Sequence, residues 1–136
     1  MGTDCYGAVY RKRSSGEWWP YAILDFDRDP TAFHALAGVF CDHPAAEFSE
    51  CPVMLKAPAG LPEWFRDDLH WDSCKWQTHP RKGHHATWYK LAELVNSAGL
   101  PRAPLTDSTD LRAIVATMSA LERGGHATAL VVWFAS

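Results

Sequence analysis

The residues of this chain best suited to chemistry are gathered in one stretch. Between positions 41 and 88 lie three of the four cysteines, five of the seven histidines and four of the seven tryptophans. Thiolate and imidazole are the ligands that zinc prefers, arranged as a tetrahedron. Cys41, His43, Cys51 and Cys74 could form such a set, with His70, His79, His84 or His85 as substitutes. Structural zinc sites usually contain two cysteines a few residues apart, and the tighter Cys41-x-His43 needs a curled loop. The competing reading makes Cys41 the end of a buried helix face, and Cys51 and Cys74 small apolar fillers.

A second arrangement pairs Asp4 with His84 or His85. A carboxylate on one strand and a histidine entering another can meet across a sheet, where the imidazole acts as general base or metal ligand. Neighbouring residues of an extended segment point to opposite sides, so one of the two histidines is expected at the site. Gly83 is read as the hinge that lets it reach inward. A loop histidine held by a backbone carbonyl is the structural alternative. Cysteine nucleophilic catalysis has less support, because the charge of Asp4 beside Cys5 disfavours a thiolate. The chain contains neither a nucleophile elbow nor a phosphate-cradling glycine loop.

The third arrangement is a binding face. Trp18-Trp19, Trp64, Trp71 and Trp76 exceed what a small core normally absorbs, and tryptophan is enriched at the centres of interfaces. Indole rings also stack on bases, so a nucleotide held by Trp71 and Trp76 beside the basic Arg81-Lys82 is a further candidate. The alternative assigns most of these rings to the core, with Trp64 at helical spacing and Trp88 and Trp133 on strands. Trp71 and Trp76 are the expected exposed pair.

These side chains need a framework. Residues 8–13 and 17–26 read as two strands around the turn Ser14-Ser15-Gly16. Asp29-Pro30 opens a helix over 30–40, with Phe33, Leu36, Ala37 and Phe40 on one face. A polar loop over 41–51, a short extended piece at 53–55 and a rigid turn over 58–62 follow. A helix is predicted over 63–71, an irregular arm over 72–85, a strand over 87–89 and a helix over 91–97 ended by Gly99. Asp107-Ser108-Thr109 caps the longest helix, whose stripe is Leu111, Ile114, Val115, Met118 and Leu121 and which stops at Gly124-Gly125. The closing strand over 126–134 is almost continuously apolar, which suits a central, doubly covered position. The order β-β-α-β-α-(β)-α-α-β implies an α+β fold, a mostly antiparallel sheet with helices packed on one face.

Composition bounds the functions further. At 136 residues the chain fits a single domain spanning 1–136, and 47% hydrophobic residues supply an ample core. Sixteen acids against thirteen lysines and arginines give a formal charge of −3. The basic groups Arg11-Lys12-Arg13 and Arg81-Lys82 make a thin face for a nucleic-acid binder, so direct nucleic-acid binding is not favoured. No signal-peptide pattern opens the chain, and no apolar run approaches the ~20 residues of a membrane span. The expectation is a soluble, cytosolic protein whose cysteines stay reduced, with no membrane partner.

The opening Met1-Gly2-Thr3-Asp4-Cys5-Tyr6, the segment Arg28–Val39, the turn Pro58–Pro62, the run Gly83-His84-His85-Ala86-Thr87-Trp88 through Leu94 and the close Val131-Val132-Trp133-Phe134 occur in an informative order. Together they resemble an uncharacterised family of small phage and prophage proteins that typically begin Met-Gly-Cys-Asp-Ile-His. The likeness covers most of the chain. It departs at Thr3 and Tyr6, which stand where the family has Cys and His. The resemblance implies a phage-type accessory protein that binds and inhibits a host component, for example a defence complex of the CRISPR type. Its expected partner is a host protein or complex in the host cytosol, and its expected mode is binding rather than turnover. The alternatives are a small metal-dependent hydrolase of a phosphoester or nucleotide, using Asp4 with His84 or His85, and a protein that sequesters a nucleotide signal. Zinc is the one cofactor the sequence suggests.

Overall fold

The computed structural model describes residues 4–26, 29–39, 55–66, 83–95 and 108–135. Its centre is a four-stranded antiparallel sheet formed by β1 (Asp4–Lys12), β2 (Trp18–Asp25), β3 (His84–Tyr89) and β4 (Thr128–Ala135), in the order β2-β1-β4-β3. Among the described residues three helices accompany it: α1 (Pro30–Ala37), α2 (Leu91–Leu94) and α3 (Thr109–Arg123). The architecture is α+β, as the sequence pattern implies, in the order β-β-α-β-α-α-β. Among the described residues no helix is long and apolar enough to cross a membrane.

The chain ends with its most apolar strand, and that strand lies between β1 and β3 with residues 128–134 buried. Period-two alternation divides its side chains between two clusters. Leu130, Val132 and Phe134 join Cys5, Val9, Tyr89 and the inward residues of all three helices. Val131 and Trp133 join Ala8 and Tyr10 on the other face, bordered by Trp18, Leu61, Trp64 and Trp88. Helices therefore cover one face, and an aromatic layer covers the other.

Segment 55–66 supplies part of that second layer by wrapping the edge strand β3. Leu55 donates its backbone N–H to Ala35 O at 2.8 Å and belongs to the helix-side cluster. Ala59 N donates to Thr87 Oγ1 at 3.1 Å and Gly60 N to Ala86 O at 2.9 Å, which satisfies part of the exposed strand edge. Leu61 and Trp64 then lie on the opposite face.

Local signals account for most element ends. Asp29 caps α1 by accepting from Ala32 N at 3.2 Å, with Pro30 in the first turn. That helix stops at Ala37 rather than continuing to residue 40, because Gly38 takes a left-handed conformation (φ 70°) and closes onto His34 O. Ser108 caps α3 and Gly124 ends it. Other elements also differ from the sequence pattern. The strand β3 starts at His84, inside the expected irregular arm, rather than at residue 87, and α2 ends at Leu94 rather than residue 97, since Val95 is already extended. The first strand begins at Asp4, not residue 8, since β4 offers pairing partners as far as Ala135. No helix forms over the described part of 63–71: residues 63–66 make a single turn, with Phe65 N bonded to Pro62 O at 3.0 Å. Neighbouring Trp64 and Phe65 both pack on Tyr10, at 5.2 and 6.0 Å between ring centroids, and this shared contact prevails over helical periodicity.

Candidate functional site

The sheet has two chemically distinct ends. The carboxyl end of β4 collects the acid–base candidates. Asp4 is paired with Ala135 from one side, and His84 with Phe134 from the other. Consecutive β4 residues project to opposite faces, and two strand spacings separate β1 from β3 by about 10 Å. Asp4 and His84 thus share an end of the sheet but not a face.

The two histidines, in contrast, converge. A bulge interrupts the β3–β4 register between His84 and Thr87, and His85 adopts a positive φ of 54°. That rare conformation for a non-glycine residue breaks the alternation expected of an extended pair. Both rings reach Phe134, at 6.2 and 6.5 Å between centroids. Their Nδ1 atoms lie 2.6 Å apart, so one donates and the other accepts. Burial first, and the neighbouring charge of His84 second, hold the His85 imidazole below its ordinary pKa. Two nitrogens bound to one tetrahedral zinc ion would stand about 3.3 Å apart, so the observed separation fits a shared proton better than a shared ion.

Gly83 is not a hinge in this setting. A Cβ there would lie 2.6 Å from Phe134 O and 3.0 Å from Trp133 Cδ1, so glycine allows β3 to enter against β4. Cys5 is buried on the helix face, and burial together with the charge of Asp110 raises its thiol well above the ordinary value. It is an unreactive core thiol. Among the described residues no group of three or more His, Cys, Asp or Glu side chains could hold a metal. The zinc candidates Cys41, His43, Cys51 and Cys74, the substitutes His70 and His79, and the binding candidates Trp71, Trp76, Arg81 and Lys82 lie outside the described residues.

The other end of the sheet holds an open groove of about 490 Å³. Trp18, Trp64 and Trp88 wall it, with Lys12, Lys90 and Glu122 among its polar groups. Trp18 reaches it from β2 and faces Trp64 in a parallel stack, 4.5 Å between centroids with 13° between planes. Trp88, on β3, meets Trp64 edge-on at 6.2 Å and 78°. All three rings are half-buried, whereas Trp133 beneath them is fully buried. Lys12 is fixed at the rim because its N–H donates to Ala127 O at 2.9 Å, tying the hairpin to the start of β4.

The electrostatics of the rim are divided. Lys56 bridges Glu93 at 2.8 Å and lies 5.5 Å from the Trp88 ring centroid. Burial alone would raise the Glu93 carboxyl. Hydrogen bonds from Lys56 and the Lys90 backbone, with the charge of both lysines, bring it below its ordinary value instead. The ammonium groups of Lys12 and Lys90 make no salt bridge among the described residues. Glu122 accepts a hydrogen bond from Thr128 Oγ1 and turns one carboxylate toward this end of the sheet.

Sequence reasoning singles out Trp18 and Trp64 for a binding face, with Trp64 and Trp88 as core in the alternative, counts Lys12 only in a thin basic group and leaves Lys90 aside. The signal for Lys12 was the hairpin itself, whose register sets it opposite Trp18. The contribution of Lys90 depends on where β3 ends and α2 begins. Compared with family models, curated proteins and solved structures, the chain matches none.

Proposed function

We propose that this protein works by binding rather than by turnover, as a phage-type accessory protein that captures a host component and blocks it. A part of the host's defence machinery, such as a CRISPR-type complex, is the partner class that the family resemblance suggests. The observation that supports binding is the groove: three half-exposed indoles converge on one open surface where they could have been buried. Aromatic anchors in a partly desolvated cleft are the features that carry recognition energy at interfaces and ligand sites. The hydrolase alternative has weaker geometric support, because Asp4 and His84 occupy different faces of the sheet.

The test is capture of host components by the purified full chain, compared with Trp18→Ala and Trp88→Ala variants of confirmed fold. Loss of a specific captured component in both variants is the expected result. Retention of that component by both would overturn the assignment of the groove. A phosphoesterase activity abolished by Asp4→Ala would restore the hydrolase reading.

A further inference from the structure

We infer that the Trp18–Trp64–Trp88 groove is a site for a free nucleotide, an inference that rests on the groove being the recognition surface. Its walls and rim supply each kind of contact that a nucleoside phosphate needs. Trp18 and Trp64 are already parallel at 4.5 Å, the arrangement that a planar base extends as a third ring. Trp88 stands nearly perpendicular to Trp64 and forms a corner beside the stack. A neutral planar ligand would need nothing more, but the rim also carries charge.

Lys12 and Lys90 line the same groove without a salt bridge among the described residues, so two ammonium groups can meet an anion there, Lys90 while also acting on the Glu93 charge. Lysine serves phosphate as a mobile point charge, so an exposed pair suits a terminal phosphate. Among the described residues Glu122 is the one carboxylate lining the groove, and it accepts hydrogen bonds only, which suits a ribose hydroxyl or an exocyclic amine. The space, about 490 Å³, lies within the range of small-molecule sites. A polynucleotide would call for a longer basic track than two lysines on a chain of net charge −3.

The experiment titrates the full chain with AMP, GMP, CMP and UMP, following tryptophan fluorescence and heat, beside the matching nucleosides, inorganic phosphate and a short single-stranded oligonucleotide. At least one nucleotide is expected to bind with a Kd below about 1 mM. Its nucleoside should bind about tenfold more weakly, and inorganic phosphate should not displace it. The double variant Lys12→Ala/Lys90→Ala changes exposed side chains only and should weaken binding about tenfold with Tm unchanged; Trp18→Ala should weaken it by a similar factor or more.

Binding that is unaffected by the lysine changes would overturn the inference, as would affinity that rises steadily with oligonucleotide length. If no nucleotide binds while Trp18→Ala still abolishes capture of a host component, the nucleotide assignment alone falls. If neither effect appears, the groove is not the recognition surface and both readings fall.

Discussion

The Nδ1 atoms of His84 and His85 are held 2.6 Å apart by a strand that bends to bring them together. Two lone pairs would repel at that distance and two N–H groups would collide, so the pair carries one proton between these atoms. Protonating the second ring breaks the contact. Burial first, and the charge of His84 second, also lower the His85 pKa.

A pH dependence follows with a definite sign. Below the ordinary histidine value of 6.5 the unfolded chain takes up a proton at His85 that the folded chain resists. The associated stability is therefore complete above 6.5 and declines as pH falls from there toward the lowered folded value. The His85→Asn variant tolerates the positive φ and removes the titration. Urea midpoints measured for both proteins from about pH 7.5 to pH 5 should fall more steeply for the parent. Parallel curves would show that His85 does not titrate with folding.

Two helix starts are coupled through one carboxylate. Asp29 Oδ1 accepts from Ala32 N at 3.2 Å while its Oδ2 accepts from Ser108 Oγ at 2.6 Å, and that hydroxyl accepts from Leu111 N at 3.2 Å. Each cap fixes the other. Asp29→Ala and Ser108→Ala should each cost about 1 kcal/mol, and the double variant should cost less than their sum by about 0.5 kcal/mol or more. Strict additivity in denaturant titrations would mean that the two caps act independently.

Gly7 marks a close approach between central strands. A Cβ at that position would lie 2.5 Å from Val131 O and 2.9 Å from Val132 Cγ1. The first of these atoms is backbone in a buried strand and cannot swing aside. Gly7→Ala should destabilise the protein by about 1–3 kcal/mol or more, although alanine ordinarily favours a strand over glycine. A thermal midpoint equal to the parent's would show that β1 and β4 can separate at little cost.

How much of this was legible depended on the range of the cause. The hairpin around Ser14-Ser15-Gly16, the Ser108 cap and the stripe of α3 are local, and the sequence displays them directly. The position of the last strand was also readable, because an unbroken apolar run can satisfy both of its faces only at the centre. The convergence of His84 and His85 was not readable, since alternation forbids it and only pairing with a distant strand imposes the bulge. The turn at 63–66 escaped for a similar reason: Tyr10, more than fifty residues earlier, holds both aromatic rings. The groove combines both cases. Lys12 and Trp18 oppose each other through a local hairpin, while Trp64 and Trp88 reach the same place through long-range packing.

That division predicts opposite phenotypes for two tryptophans. Trp133 is fully buried at the centre of the sheet, with Tyr6 and Phe65 against its ring at 6.5 Å each. Truncating it leaves a cavity, and Trp133→Ala should cost about 3–5 kcal/mol, a large share of the stability of a domain this size. Trp18 is half-buried at the mouth of the groove, where its main ring contact is the stack on Trp64. Trp18→Ala should cost about 1–2 kcal/mol, keep the fold and remove binding. Thermal denaturation and ligand capture on the same two variants separate the roles. A Trp18→Ala protein that unfolds as readily as Trp133→Ala would make that ring a core residue and leave the groove without its first wall.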